Sequence, residues 1–232
     1  MQELYTEKNS RYLQDHPTWH AELSWWKADK IIKMIKRNKL EFSTVVEVGC
    51  GAGEILNQLM KKLDDQSIHF TGYEIAPDAY EMCKQRENDR LRFYNEDILN
   101  KDVSFDLLLM IDVLEHVEDY IGFIRKCAAK ANYKIYHIPL DLSSVAVRKS
   151  QLMRLRTGMG HLHYFMKETA LATITDSGQE VIDYFYTDAM IEAYNHGFKS
   201  RFWNKVRQAI SLFNKDFAVR LLGGYSLMVL AK

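Results

Sequence analysis

The sequence predicts an α/β fold in which a doubly wound, mostly parallel sheet carries helices on both faces. Apolar, β-branched runs recur along the chain and alternate with stretches whose apolar residues are spaced for a helix. One run, Phe105–Ile111, is apolar almost throughout, which is typical of a central parallel strand buried on both faces. A later strand, at residues 134–141, is expected to end at Pro139, because proline has no N–H to donate.

A glycine-rich turn is the strongest functional signal in the chain. The strand at residues 44–48 is followed by Gly49, Gly51 and Gly53, and a helical pattern begins at Glu54. Glycine lets the backbone adopt positive φ and approach a ligand, and a helix N-terminus presents N–H groups without partners. The turn therefore predicts a nucleotide-sized binding site. A tight turn without a ligand is the alternative, which three glycines in five residues disfavour because glycine costs chain entropy.

The spacing of these glycines narrows the ligand. A dinucleotide fingerprint has the form G-x-G-x-x-G, whereas here every second residue is glycine and the acidic Glu47 precedes the turn. A carboxylate at this place would repel a pyrophosphate and favours a cation or an amino group. The combination resembles the first motif of the class I S-adenosylmethionine-dependent methyltransferases. The resemblance implies a Rossmann-like sheet of seven strands whose last strand, here residues 223–231, is antiparallel. Because the chain shows no repeat, low-complexity segment or linker, we expect one domain with a helical cap.

Later positions resemble further motifs of the same family in the expected order. In the family, a carboxylate after the second strand binds the ribose, an acidic residue after the third binds the adenine amino group, and a neighbour packs on the ring. A fourth motif, here the run from Asp112 to Asp119, borders the transferred methyl group. The resemblance implies the cofactor S-adenosylmethionine and a site formed by Glu47, Gly49, Cys50, Gly51, Gly53, Glu74, Ile75, Asp97, Ile98 and Asp112.

Three histidines are candidate catalytic residues. His116 follows Asp112 by four residues, so both can face the same side of a turn. His161 and His163 lie in residues 141–168, an insertion at the place where family members build the acceptor site, and on an extended segment they would share one face. If the acceptor is a hydroxyl, one of the three is needed as a general base; otherwise each contacts the acceptor or holds a loop. We expect no metal, since no carboxylate or cysteine stands at a spacing that matches His161 and His163.

Residues 1–40 are predicted to form a helical cap or lid, and residues 41–232 the methyltransferase domain with its insertion at 141–168. Trp25, Ala28, Ile32 and Ile35 recur at the spacing of one helix face. The tryptophans of this segment either dock the helix on the body of the protein or close, together with Tyr12, over the ligands.

The composition limits partners and location. Basic and acidic residues are equal in number, 31 of each in 232 residues, so the chain lacks the basic character usual for nucleic-acid binding. Three widely separated cysteines favour a reducing compartment. The first residues lack a basic-then-apolar signal pattern, and no run approaches the roughly 18 apolar residues of a spanning helix. We therefore expect a cytoplasmic protein with no nucleic-acid or membrane partner.

The predicted function is transfer of a methyl group from S-adenosylmethionine to an oxygen or nitrogen atom of a small-molecule acceptor. Three alternatives stay open at this point: an RNA methyltransferase, a module that binds the cofactor without transferring its methyl group, and an NAD-linked oxidoreductase. The glycine spacing and Glu47 disfavour the oxidoreductase. The acceptor and the oligomeric state also stay open.

Overall fold

The strands form one mixed sheet. The computed structural model describes residues 17–19, 21–193 and 198–232. The strands are β1 (Thr44–Val48), β2 (His69–Tyr73), β3 (Leu91–Tyr94), β4 (Phe105–Ile111), β5 (Ala131–Leu140), β6 (Val181–Thr187) and β7 (Tyr225–Ala231). Their order is β3-β2-β1-β4-β5-β7-β6. The first five pair in parallel, and β7 runs antiparallel to both β5 and β6. The predicted fold, with its antiparallel last strand, is confirmed.

Helices connect the strands. They are α1 (Ser24–Asn38), α2 (Glu54–Lys62), α3 (Pro77–Lys84), α4 (Tyr120–Ala128), α5 (Ser144–Arg148), α6 (Gln151–Gly158), α7 (Lys167–Asp176), α8 (Ala189–Glu192), α9 (Phe198–Phe213) and α10 (Lys215–Leu222). Short 3₁₀ turns span Ala21–Leu23, Ile98–Asn100 and Leu114–His116. Within the described ranges, no helix combines the length and the apolar character that crossing a bilayer requires.

Each face of the sheet is covered by its own apolar cluster. Successive side chains of a strand point to opposite faces, so Val46 and Leu108 belong to one cluster and Val45 and Leu107 to the other. These central positions are at most 1% exposed. Burial on both faces is what a doubly wound parallel sheet requires of its central strands, and it leaves the strand ends as the place for polar side chains.

Helix α1 belongs to this core. Ala28, Ile31, Met34 and Ile35 pack in the same cluster as Val45 of the first strand. The predicted helical pattern is therefore confirmed, but the predicted face is partly wrong. The spacing of apolar residues fits two overlapping faces of this helix, and it does not show which of the two packs against the rest of the protein.

Trp25 shows this shift most clearly. Its side chain is 43% exposed, whereas its neighbour Trp26 is only 3% exposed. Ile32 lies partly buried at the edge of the cluster. Tyr12, which the sequence pairs with these tryptophans in a lid, lies outside the described residues.

Strand β5 continues through Pro139, so the predicted end of the ladder at this residue is wrong. Pro139 and Leu140 still pair with Ser226 and Tyr225 of β7. The pairing of β5 with β4 ends earlier, at His137 opposite Ile111. Pro139 therefore lies where β5 has a strand on one side only, and a proline is tolerated at such an edge.

The packing of α1 predicts a large stability effect. Ile31 is fully buried, so Ile31→Ala should lower the free energy of unfolding by about 2–5 kcal/mol, as large-to-small core substitutions do. Urea unfolding measures this, with Ile32→Ala on the same helix as the control that costs less. Equal small losses for both variants would show that the helix is only loosely docked.

Candidate active site

The carboxyl ends of the central strands border a cavity of about 680 Å³. Open parallel sheets bind ligands at this edge, and the volume lies in the range of small-molecule sites, roughly 300–1,000 Å³. The cavity is lined by nine of the ten predicted cofactor residues: Glu47, Gly49, Cys50, Gly51, Glu74, Ile75, Asp97, Ile98 and Asp112. The tenth, Gly53, caps α2 just behind the lining.

Neighbouring side chains pack directly against the glycine turn at two of its three glycines. Gly49 and Gly53 have positive φ, +68° and +74°. A Cβ on Gly49 would lie 2.9 Å from a methyl carbon of Val113, and one on Gly53 would lie 2.5 Å from the ring of Phe93. Gly51 also has positive φ, but a Cβ there would meet only the backbone oxygen of Trp19, at an ordinary contact distance of 3.8 Å. The backbone at Gly51 is thus the part of the turn that a ligand can approach.

Glu74 holds this turn in place. Its Oε2 accepts a hydrogen bond from the Gly51 amide and its Oε1 accepts one from the Ala76 amide, each at 2.8 Å. The side chain is therefore fixed between the turn after β1 and the turn after β2. Burial raises the pKa of Glu74, and the backbone amides oppose that shift.

Glu47 lies at the base of the cavity with an unsatisfied oxygen. The residue is 1% exposed, and its Oε2 has no hydrogen-bond partner among the described residues. Burial raises the pKa of Glu47 well above its usual range, although Lys27 lowers it in part. An unpartnered buried carboxylate oxygen is costly, so a cationic or amino group from a ligand fits this position.

Asp112 is held in a charged network that joins three elements. Its Oδ2 lies 2.7 Å from the Nζ of Lys27 on α1, and its Oδ1 accepts from the Nδ1 of His137 on β5 at 2.6 Å. The other ring nitrogen of His137 contacts the Thr187 hydroxyl at 2.9 Å. Burial raises the pKa of Asp112, but the charges of His137 and Lys27 outweigh burial and hold it well below the usual range.

Lys27 and His137 were not found from the sequence. Lys27 precedes a run of solvated lysines on its helix, and His137 lies within an apolar strand. Neither position carries a local motif, and only the register of β5 beside β4 brings His137 to Asp112.

A second polar cluster lines the cavity beyond Asp112. Ligand atoms of Glu115, His116 and His161 all lie within 4.8 Å of one another. His161 donates from Nδ1 to Asp141 at 2.6 Å, and His116 donates from Nδ1 to the Gly160 carbonyl at 3.2 Å. Glu115 and Asp141 are further residues that the sequence did not reveal as part of the site.

His163 does not belong to this cluster. Its Nε2 donates to the Val117 carbonyl at 2.9 Å, and its ring packs on Tyr120 with centroids 4.4 Å apart. The backbone amides of Leu162 and His163 both donate to the Glu115 carbonyl, which pins the loop across the 3₁₀ turn. Of the two alternating histidines, only His161 lines the cavity.

The strand order, the antiparallel last strand and the glycine turn over the cavity define a Rossmann-like α/β fold. A family model described as a methyltransferase domain matches residues 46–132. The ubiquinone biosynthesis O-methyltransferase of Xanthomonas euvesicatoria pv. vesicatoria is 25% identical over 206 residues, covering 76% of this chain and 84% of that protein. These similarities indicate an S-adenosylmethionine-dependent methyltransferase, and S-adenosylmethionine is its cofactor.

Two crystal structures share the fold at low sequence identity. The plantazolicin methyltransferase BpumL, in complex with a substrate analogue and SAH, has a TM-score of 0.64 at 14% identity, covering 99% of this chain and 92% of that one. The magnesium protoporphyrin IX methyltransferase of Synechocystis PCC 6803, with bound SAH, has a TM-score of 0.60 at 15% identity, with coverages of 99% and 91%.

The raised pKa of Glu47 predicts a pH dependence of stability. A carboxyl group whose folded pKa exceeds its unfolded value leaves stability intact below the unfolded pKa and lowers it as pH rises towards the folded pKa. The ligand-free protein should therefore lose stability as pH rises above about 4.5, the unperturbed value, and Glu47→Gln should reduce that loss. Urea unfolding from pH 5 to pH 9 measures the difference, with the exposed Glu81→Gln as control. Parallel curves for Glu47→Gln and the native chain would contradict the assignment.

Proposed function

We propose that this methyltransferase acts on a hydroxyl group of a small-molecule acceptor, bound beside Glu115, His116 and His161. The observation that carries the proposal is His161 at the cavity wall, whose Nδ1 lies 2.6 Å from the carboxylate of Asp141. The name of the Xanthomonas relative, an O-methyltransferase that this chain matches over 84% of its length, supports an oxygen acceptor.

We assign the methionine part of the cofactor to the end of the cavity formed by Glu47, Gly51 and Lys27, because the polar groups there match its amino and carboxylate groups. Glu47 is placed to bind the amino group of the methionine part, because its buried oxygen has no protein partner among the described residues. The open backbone beside Gly51 lets that part lie against the turn. Lys27, a buried cation on the cavity wall, is placed to bind the carboxylate.

The nucleoside half lies over the ends of β2 and β3. Glu74, fixed by two backbone amides, presents its carboxylate to the ribose hydroxyls. Asp97, at the start of a 3₁₀ turn, is assigned to the adenine amino group, with the side chains of Ile75 and Ile98 beside the ring. Asp112 acts through its partners, since Lys27 and His137 already occupy its oxygens.

The cofactor supplies a methyl group on a sulfonium that is already electrophilic, so the protein's task is to align the acceptor and exclude water. A neutral alcohol is a poor nucleophile, and its proton must leave. With Nδ1 donating to Asp141, the His161 ring presents its basic Nε2, and Asp141 stabilises the imidazolium that forms. His116 contacts the acceptor from the facing side, with ring centroids 5.0 Å from His161.

The lid and the insertion border the acceptor space. Trp19, Trp26 and Lys27 from the N-terminal segment line the cavity, and Met159 and His161 come from the insertion. Trp26 is anchored by a hydrogen bond from Nε1 to Glu192 at 2.7 Å. We infer that these two segments together enclose the acceptor.

A first prediction concerns the ribose contact. Glu74→Ala should weaken binding of S-adenosylhomocysteine by about 1–3 kcal/mol, because a charge-assisted hydrogen bond and the support of the Gly51 turn are lost. Calorimetry measures the affinity, and the surface variant Glu81→Ala is the control. Unchanged affinity in Glu74→Ala would place the nucleoside elsewhere.

A second prediction separates the two histidines of one loop. A panel of phenols, other alcohols and amines is first screened with S-adenosylmethionine by release of S-adenosylhomocysteine. On the best hydroxyl acceptor, His161→Gln should lower kcat by about 10²–10⁴, the usual contribution of a general base, with cofactor affinity retained. His163→Gln should leave kcat within a few-fold. Turnover of amines alone, or equal rates for both variants, would contradict the proposed activation of a hydroxyl.

A further inference from the structure

The cluster of Glu115, His116 and His161 has the composition of a metal site. Two imidazole rings and one carboxylate, with ligand atoms within 4.8 Å of one another, converge at the cavity wall. Two histidines and one carboxylate are a common ligand set for first-row divalent metals, and three protein ligands leave positions open for a substrate. The sequence-based expectation of no metal considered only His161 with His163, which the fold separates.

Both histidines are oriented by contacts outside the cluster. Metal-binding histidines usually donate their second ring N–H to a carboxylate or a backbone carbonyl. Here the Nδ1 of His161 donates to Asp141 and that of His116 donates to the Gly160 carbonyl. Because Nδ1 of each ring carries the donated proton, Nε2 is left with its lone pair. That lone pair points away from Asp141 in one ring and away from the Gly160 carbonyl in the other, and it can bind a metal ion.

Glu115 supplies an independent observation. The residue is 1% exposed, and its Oε2 has no hydrogen-bond partner among the described residues, while its Oε1 lies 3.8 Å from the Nε2 of His116. The direct contacts of Lys27 and His137 are with Asp112 on the same turn, and Lys27 acts on Glu115 only through its charge. A positive partner would stabilise a buried carboxylate oxygen in this position.

The backbone holds the ligands together. The carbonyl of Glu115 accepts from the amides of Leu162 and His163, so the turn after β4 and the loop that carries His161 are tied directly. Metal–ligand distances are about 2.0–2.2 Å, so the ligand atoms must move closer together than they are here. Rotation about side-chain bonds can provide this movement, because the backbone bonds already hold the two loops side by side.

We propose that Glu115, His116 and His161 bind one divalent transition-metal ion, such as Mn²⁺ or Zn²⁺, whose open positions take the acceptor's oxygen. The mixed nitrogen and oxygen donors favour such ions over Ca²⁺, which prefers oxygen ligands alone. A coordinated hydroxyl has a lowered pKa and releases its proton to solvent. With the ion bound, His161 is a ligand and the proton no longer passes to its ring. The activation of the acceptor hydroxyl by the ion rests on the proposed function, whereas the binding of the ion to the three side chains does not.

Metal binding is tested without cofactor or acceptor. The full-length, untagged protein is stripped with EDTA, titrated with MnCl₂ or ZnCl₂ by calorimetry, and analysed for bound metal after dialysis. One ion per chain is expected. Glu115→Gln and His161→Ala should each weaken binding by at least about tenfold, and Asp141→Asn by about 10–100-fold, as outer contacts of metal ligands do. His163→Ala, on the same loop but outside the cluster, is the matched control and should bind as the native chain does.

Retained stoichiometry and affinity in Glu115→Gln and His161→Ala, or no binding by the native chain at millimolar metal, would overturn the site. Thermal unfolding of each variant shows that it is folded, and Co²⁺ absorption reports on the coordination directly. If the stripped protein methylates hydroxyls at full rate and binds no metal, the metal site fails and the proposed function stands. If metal binds but no hydroxyl is methylated, the proposed function fails and the site stands.

Discussion

The site depends on how buried negative charge is balanced at the carboxyl edge of the sheet. Glu47, Glu74, Asp112 and Glu115 all line one cavity, where burial disfavours the charged form of each carboxyl group unless a partner stabilises it. Backbone amides satisfy Glu74, and Lys27 with His137 satisfies Asp112. Glu47 and Glu115 each keep an oxygen without a partner among the described residues. The first lies beside the glycine turn and the second beside the histidines, so the two unsatisfied carboxyl groups lie at the proposed cofactor end and the proposed acceptor end.

The parts of the site predicted from the sequence are those that one strand and the turn after it determine. Glu47 and the glycines belong to β1 and the turn that follows it, and Glu74 comes directly after β2, so chain order alone brings them to one edge. Lys27 could not be predicted in this way, because its partner Asp112 is 85 positions away in the sequence and on a different element. Asp141 was missed for a similar reason, since its pairing with His161 requires the insertion to fold back.

Local sequence patterns gave wrong predictions where the choice lay between residues that are close neighbours in the chain. Helical spacing favours Trp25, yet Trp26 is the buried neighbour, because the elements that α1 packs against decide which of its faces is covered. Alternation suggested that His161 and His163 share a role, but the backbone bonds to Glu115 fix the loop so that only one ring lines the cavity. The sequence predicts a strand end at Pro139 because it does not reveal that β4, on one side of β5, has already stopped before this residue.

The position of α1 sets a lower limit to the size of a folded unit. The region shared with the methyltransferase family begins at residue 46, after this helix, which makes a shorter protein starting near residue 41 a natural choice for expression. Such a fragment would leave apolar side chains of α2 and β7, the elements that α1 packs against, facing water, and contiguous apolar surface of this kind promotes aggregation. It would also remove Lys27, so that of its two side-chain partners Asp112 would keep only His137. Insolubility of that fragment would therefore reflect a missing piece of the core.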